Sequence, residues 1–266
     1  MCRWLAYSGQ PVLLEDLIYK PAHSLVDQSL RATEAKTPTN GDGFGIGWYG
    51  EQPAPGVYRE VLPAWNDANL RSLAHQIRSG LFFAHVRAST GTASTRFNCH
   101  PFAQGRWLFM HNGQVGGYAG LRRRLETLIP DAYYEQRLGT TDSEVLFYLL
   151  LAAGLEADPV GALARCLLQV REVMEAAEVR EALRFTAALT DGEVVYAVRY
   201  ASDLAPPTLY WRNEGQAVCI VSEPLDSGGT SWEPLPPGQV LVVGPDLQPC
   251  FAPLFPAAQA AGLAAE

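Results

Sequence analysis

The chain predicts an α+β sandwich in which helices cover both outer faces of stacked sheets. Three observations carry that expectation. The elements run in the order strands, helices, strands again, without the strand–helix alternation of a doubly wound fold. The strand segments are short apolar and aromatic runs of the kind buried in sheets. No glycine-rich strand-to-helix loop carries a P-loop lysine, because Gly41-Asp42-Gly43-Phe44-Gly45 continues as strand. One domain is expected over 2-255, followed by an alanine-rich tail over 256-266.

Taken in order, Arg3 to Tyr7 reads as a short strand, and an irregular stretch through Pro21-Ala22-His23-Ser24 follows to about Asn40. Gly43 to Tyr49 has too much glycine for a helix and the aromatic and branched content of a strand where backbones approach closely. Val57 to Leu62 can pair with it as a hairpin, Asn69 to Arg78 reads as helix, and Leu81 to Arg87 as a strand buried on both faces. Trp107 to His111 is a further strand, stopping at Asn112-Gly113. Tyr118, Leu121, Leu125 and Leu128 form one helical stripe. Thr141-Asp142-Ser143-Glu144 is a capping-box pattern that starts a second helix, and Asp158-Pro159 starts a third. Beyond Arg184 the pattern returns to strands: Phe185 to Leu189 and Val194 to Tyr200 around an Asp191-Gly192 turn, then Thr208 to Trp211, Ala217 to Val221 and Gln239 to Val243.

A composition of 48% hydrophobic and 18% charged residues is that of a soluble globular protein. With 20 basic against 28 acidic residues the net charge is −8, and the one basic cluster, Arg122-Arg123-Arg124, reads as the solvated face of a helix, so nucleic acid is not an expected partner. No basic leader with an apolar stretch precedes residue 20, and the apolar run of Val145 to Gly154 is too short to span a bilayer. No membrane association and a cytoplasmic location are expected. The five cysteines at positions 2, 99, 166, 219 and 250 contain no CxxC pair, which argues against a disulfide framework or a structural zinc site.

Chemistry is concentrated at a few places. Removal of Met1 would leave Cys2 at the N-terminus, where its thiol and the new α-amine form a nucleophile and base within one residue. In His85-Val86-Arg87-Ala88-Ser89-Thr90, Arg87 follows a buried strand, where its planar fork can clamp a carboxylate; a surface ion pair is the alternative. Asn112 and the N–H of Gly113 can together face an oxyanion, or form a simple turn. Asp142 can stabilise a helix N-terminus, bind a substrate ammonium, or do both. Cys99 and His100 are neighbours that a strand would point to opposite faces, and their spacing from His85 and His111 fits no zinc pattern, so neither Cys99 catalysis nor a metal is expected.

These segments, Met1-Cys2-Arg3, Asn40-Gly41-Asp42-Gly43-Phe44-Gly45, Ala84 to Thr90, His111-Asn112-Gly113 and Gly139 to Glu144, occur in the order seen in the class II glutamine amidotransferases, which they resemble. The resemblance implies a four-layer αββα sandwich of the N-terminal-nucleophile hydrolase type. It makes Cys2 the nucleophile, Asn112 and Gly113 the oxyanion hole, Arg87 the ligand of the substrate α-carboxylate and Asp142 that of its α-ammonium; His85 and Thr90 join the substrate-binding set. No cofactor is implied. Ala88 departs from the tryptophan that synthase-type members carry after the arginine.

Pro21 to Leu25, Pro63-Ala64-Trp65-Asn66-Asp67 and Asn98-Cys99-His100-Pro101-Phe102 are similar to a stand-alone branch. That branch includes the amidotransferase-like subunit of the fungal alternative glutathione-degradation complex and, more distantly, the γ-glutamyl hydrolase of ergothioneine biosynthesis. His23, Trp65 and Asn66 are then either the rim of the pocket or loop anchors. The implied substrate is glutamine or a γ-glutamyl compound. Three readings stay open: hydrolysis by this chain alone, action with an ammonia-using or peptidase partner subunit, and a catalytically silent γ-glutamyl-binding scaffold.

Overall fold

A first strand, β1 (Arg3–Leu13), runs well past the expected Tyr7, because it is paired on both sides and its first six residues are buried. The computed structural model describes residues 2–34, 38–89, 91–226 and 231–256. Where an irregular stretch was expected, two short helices form, α1 (Glu15–Ile18) and α2 (Leu25–Leu30). The Ser24 side chain accepts from the Asp27 N–H while the Asp27 carboxylate takes the Ser24 N–H, a reciprocal cap, and Leu14, Ile18 and Leu25 supply the apolar contact that short helices need.

β2 (Phe44–Trp48) and β3 (Gly56–Glu60) form the expected hairpin. α3 (Ala68–Gln76) is capped by Asp67 and ends earlier than its sequence pattern, because Arg78 already belongs to β4 (Arg78–Val86). β5 (Phe102–Gln104) precedes β6 (Trp107–Gln114), which carries Asn112 and Gly113 inside the strand and not in a turn: both stay in register with the partner strand. α4 (Tyr118–Glu126), α5 (Asp131–Tyr134), α6 (Asp142–Ala152) and α7 (Pro159–Glu175) follow. The final strands are β7 (Arg184–Thr190), β8 (Val195–Ala201), β9 (Tyr210–Asn213), β10 (Ala217–Val221), β11 (Glu233–Pro234), β12 (Gln239–Val243) and β13 (Pro249–Pro253). Of the expected tail 256-266, all but Pro256 lies outside the described residues.

Two antiparallel sheets result, ordered β11-β9-β10-β1-β4-β2-β3 and β13-β12-β8-β7-β6-β5. The period-2 alternation of each strand sends its two faces into different cores. Trp4, Ala6 and Phe83 from one sheet meet Leu108, Met110 and Ala188 from the other in the layer between them. Leu5, Phe82 and Ala84 face the opposite way, against α1, α2 and α3. Phe109, Phe185 and Leu189 face α4, α6 and α7. The layers are therefore helix, sheet, sheet, helix, the αββα order.

Gly45 of β2 explains part of the glycine spacing in that strand. A Cβ there would lie 2.3 Å from the main-chain oxygen of His100, a backbone atom that cannot step aside. Gly45→Ala should lower stability by about 1–3 kcal/mol, read as a lower thermal midpoint, whereas Gly50→Ala, with nothing within 4 Å of the added methyl, should leave it nearly unchanged.

Candidate active site

Cys2 sits at the head of β1, at one end of the layer between the sheets, and lines a cavity of about 290 Å³ together with Arg87, Asn112, Gly113 and Asp142. Its Sγ accepts a hydrogen bond from the Ala88 N–H at 3.4 Å. Burial pushes the thiol pKa up, while that N–H and the charges of Arg87 and Arg3 pull the other way without overcoming it. At neutral pH the sulfur is thus a thiol, and attack by it needs a base nearby.

Arg87 follows β4 directly and is 4% exposed. Its main chain is tied to the loop before β2: the Arg87 N–H donates to Gly43 O at 2.8 Å and Asp42 N–H donates to Arg87 O at 3.0 Å. The guanidinium donates to Asp42 O, Ser89 Oγ and Thr92 Oγ1 at 3.2, 3.2 and 2.6 Å, all neutral acceptors. No carboxylate among the described residues forms an ion pair with it; the Asp42 carboxylate is turned to the Ser89 N–H at 2.7 Å. A buried cation without a counter-ion is costly unless one is supplied from outside.

Asn112 and His111 are adjacent on β6 and face opposite sides. The Asn112 carboxamide donates to the Cys2 carbonyl oxygen at 3.0 Å, which leaves its second N–H for another acceptor. Gly113 is required by close approach, since a Cβ would lie 1.9 Å from Arg184 O. His111 Nε2 lies 3.2 Å from that same oxygen and Nδ1 2.9 Å from Ser143 Oγ. A carbonyl oxygen only accepts, so Nε2 carries the hydrogen and Nδ1 accepts from Ser143. Burial lowers the His111 pKa and the Asp142 charge opposes this.

Asp142 opens α6, where Thr141 caps by accepting from the Glu144 N–H. The capping box expected here is only half formed: the Glu144 carboxylate reaches back to the N–H groups of Leu138 and Gly139 instead of that of Thr141. Asp142 is held by the N–H groups of Val115 and Ser143, each at 2.8 Å, and presents the rest of its carboxylate to the cavity.

Of the remaining candidates, His85, His23, Trp65 and Asn66 do not line the cavity. His85 is buried behind the cavity wall with neither ring nitrogen hydrogen-bonded among the described residues, its ring tilted against that of His100, 4.4 Å between centroids, and His100 does line the cavity. His23 donates to Glu223 Oε1 at 2.5 Å. Trp65 packs over Gly41, and the Asn66 main-chain N–H donates to Pro63 O. Thr90 lies outside the described residues. Cys99 and His100 occupy a bend rather than a strand; the Cys99 thiol turns to Glu60 O at 3.4 Å, away from the cavity, and burial pushes its pKa up to about 11. Sequence reasoning missed Thr92, Ser143 and Arg184 as lining residues. For Thr92 the Ser-Thr-rich turn after Arg87 was a signal; for Arg184 there was none.

A family model described as glutamine amidotransferases class-II matches residues 16–206. The chain is 41% identical over 160 residues to a probable glutamine amidotransferase, DUG3, of Saccharomyces cerevisiae, covering 57% of this chain and 45% of that protein. It is 29% identical to the gamma-glutamyl-hercynylcysteine sulfoxide hydrolase of Mycolicibacterium smegmatis, covering 89% of this chain and 92% of that one. Among solved structures, a glutamine aminotransferase class-II domain protein from Silicibacter pomeroyi superposes with a TM-score of 0.77 at 41% identity, covering 96% of this chain and all of the other. The glutamine phosphoribosylpyrophosphate amidotransferase of B. subtilis shares the fold at 16% identity, with a TM-score of 0.63, over 96% of this chain and 49% of its own.

The unpartnered His85 has a consequence for acid stability. Burial, with the charges of Arg87, His111 and Arg3, lowers its pKa to about 3. Above the unfolded value of about 6.5 both states are neutral; as pH falls from there toward 3, the unfolded chain binds a proton that the fold refuses. Stability should drop on that account by about 1.4 kcal/mol per pH unit. In denaturant titrations, His85→Phe should lose about 2 kcal/mol less than the parent between pH 7 and pH 5; parallel profiles would show that His85 titrates normally.

Proposed function

The chain belongs to the class II glutamine amidotransferases, and from that premise we propose that it hydrolyses the γ-amide of glutamine or of a γ-glutamyl compound through a thioester on Cys2. The observation that carries this reading is Arg87: a buried guanidinium with no acidic partner among the described residues, in the same cavity as a thiol and a carboxylate. A γ-glutamyl head group brings one carboxylate for Arg87 and one ammonium for Asp142, and satisfies both. Its γ-carbonyl then extends toward Cys2.

The reaction runs in two steps. The Cys2 α-amine, free once Met1 is removed, takes the thiol proton, and sulfur bonds to the γ-carbon. Negative charge moves to the carbonyl oxygen, where the spare N–H of Asn112 and the Gly113 N–H would stabilise it. As the carbon–nitrogen bond breaks, the amine returns its proton to the leaving nitrogen. Water, losing a proton to the same amine, then attacks the thioester, releasing glutamate and restoring the thiol. The raised thiol pKa is why the amine matters: without it little thiolate is present. His111, neutral and occupied on both nitrogens, has no part in proton transfer.

Intact mass should show loss of one methionine, and glutamate release should vanish in Cys2→Ala but persist in Cys99→Ala. An active Cys2→Ala variant would falsify the thioester route. Arg87→Lys keeps the charge but loses the two-point fork, so kcat/KM should fall tenfold or more, each charge-assisted bond contributing about 1.5–3 kcal/mol. Asp142→Asn should raise KM for glutamine; a change confined to the melting temperature would reduce Asp142 to a helix-stabilising role.

A further inference from the structure

We propose that Arg184 forms a leaving-group subsite that selects γ-glutamyl compounds whose amine portion carries a carboxylate. This rests on the hydrolase reading above and names the substrate class for it. The argument begins with the charges lining the cavity. Cys2 aside, the ionisable side chains there are Arg87, Asp142, Arg184, His100 and His111. Burial holds both imidazoles neutral. The α-carboxylate and α-ammonium of a γ-glutamyl group account for Arg87 and Asp142, which leaves Arg184, a cation with no counter-charge among the cavity-lining residues and paired only with Asp203 outside them. Ammonia, the leaving group from glutamine, has no use for it.

The position of Arg184 suits the other side of the scissile bond. It begins β7 opposite Gln114, one pair beyond Gly113 and Phe185, so it stands beside the Asn112–Gly113 edge. Its main chain is pinned, because its carbonyl oxygen takes the His111 hydrogen bond and closes tightly over Gly113. Its Nε and Nη2 are paired with Asp203, whose side chain is 33% exposed and is not part of the cavity wall, while Nη1 has no hydrogen bond among the described residues. Asp203 thus holds the Nε–Nη2 edge of the guanidinium and leaves Nη1 without a hydrogen bond among the described residues, on a residue that lines the cavity. A solvent-exposed pair of this kind is weak enough to share its cation with an incoming carboxylate, and the guanidinium fork matches one geometrically.

The test compares two isosteric substrates, γ-glutamylglycine and γ-glutamylglycinamide, which differ only in whether the leaving amine ends in a carboxylate or an amide. For the unmodified protein kcat/KM should favour the carboxylate by about tenfold. Arg184→Gln should bring the ratio close to one, Arg184→Lys should give an intermediate value, and Asp203→Asn, which removes the competing carboxylate, should raise it. Thermal midpoints check that each variant is folded, and Asp203→Asn decides the matter if Arg184→Gln is not. A ratio at or below one in the unmodified protein, a ratio unmoved by these substitutions, or turnover of glutamine alone would overturn the subsite while leaving the hydrolase reading intact. No glutamate release from glutamine or from either dipeptide would overturn the hydrolase reading, and the subsite with it.

Discussion

The carbonyl oxygen of Cys2 is the point on which the site depends, because it is where the two sheets are joined at the cavity. It accepts from Arg3 Nε at 2.7 Å, within the first sheet, and from Asn112 Nδ2 at 3.0 Å, across the interface in the second. Arg3 is wholly buried, and a buried guanidinium is tolerated only with partners. Its Nη1 is met by Ser222 O at 3.1 Å and by the Glu223 carboxylate at 3.5 Å. Burial alone would raise the Glu223 pKa, but hydrogen bonds from Thr33, His23 and the Glu34 N–H outweigh it and keep the carboxyl ionised. One chain of charge-assisted contacts therefore runs from the loop around His23, through Glu223 and Arg3, to the residue proposed to attack.

The same economy of charge shapes the cavity. Arg87 is surrounded by hydroxyl and carbonyl oxygens that orient the guanidinium without neutralising it. Asp142 is held by two main-chain N–H groups that fix its direction, and no side-chain cation among the described residues forms an ion pair with it. Opposite charges kept apart in a small cavity, with no ion-pair partner among the described residues, cost stability. The imidazoles around them stay neutral because burial among arginines leaves no room for a further positive charge.

Local chemistry misled the sequence reading in two places, each for a physical reason. Asn112-Gly113 has the composition of a turn, yet it lies within β6, where the glycine answers both the close approach of Arg184 O and a φ of +158° that other residues rarely adopt. The stretch from Ser8 to Asn40 lacks helical periodicity over any useful length, so α1 and α2 were invisible; they are short and owe their stability to Leu14, Ile18 and Leu25 packing on the first sheet. In the family-like segment around Trp65 and Asn66, the alternatives of pocket rim and loop anchor were open. The packing of Trp65 over Gly41 favours the anchor, since that loop carries Asp42 and Gly43 to Arg87.

What the amino-acid sequence determined by itself was the inventory: apolar periods that make two sheets and two helical layers, and the order of Cys2, Arg87, Asn112-Gly113 and Asp142 along the chain. Those signals are local, because alternation, capping and glycine spacing act over a few residues. Only the tertiary structure decided which of these groups share a cavity, that Arg87 has no acidic partner among the described residues, that His85 stands behind the wall while Arg184 stands in it, and that Glu223 supports Arg3. Each of those facts sets residues tens to hundreds of positions apart against one another, and packing two sheets face to face is what brings them together.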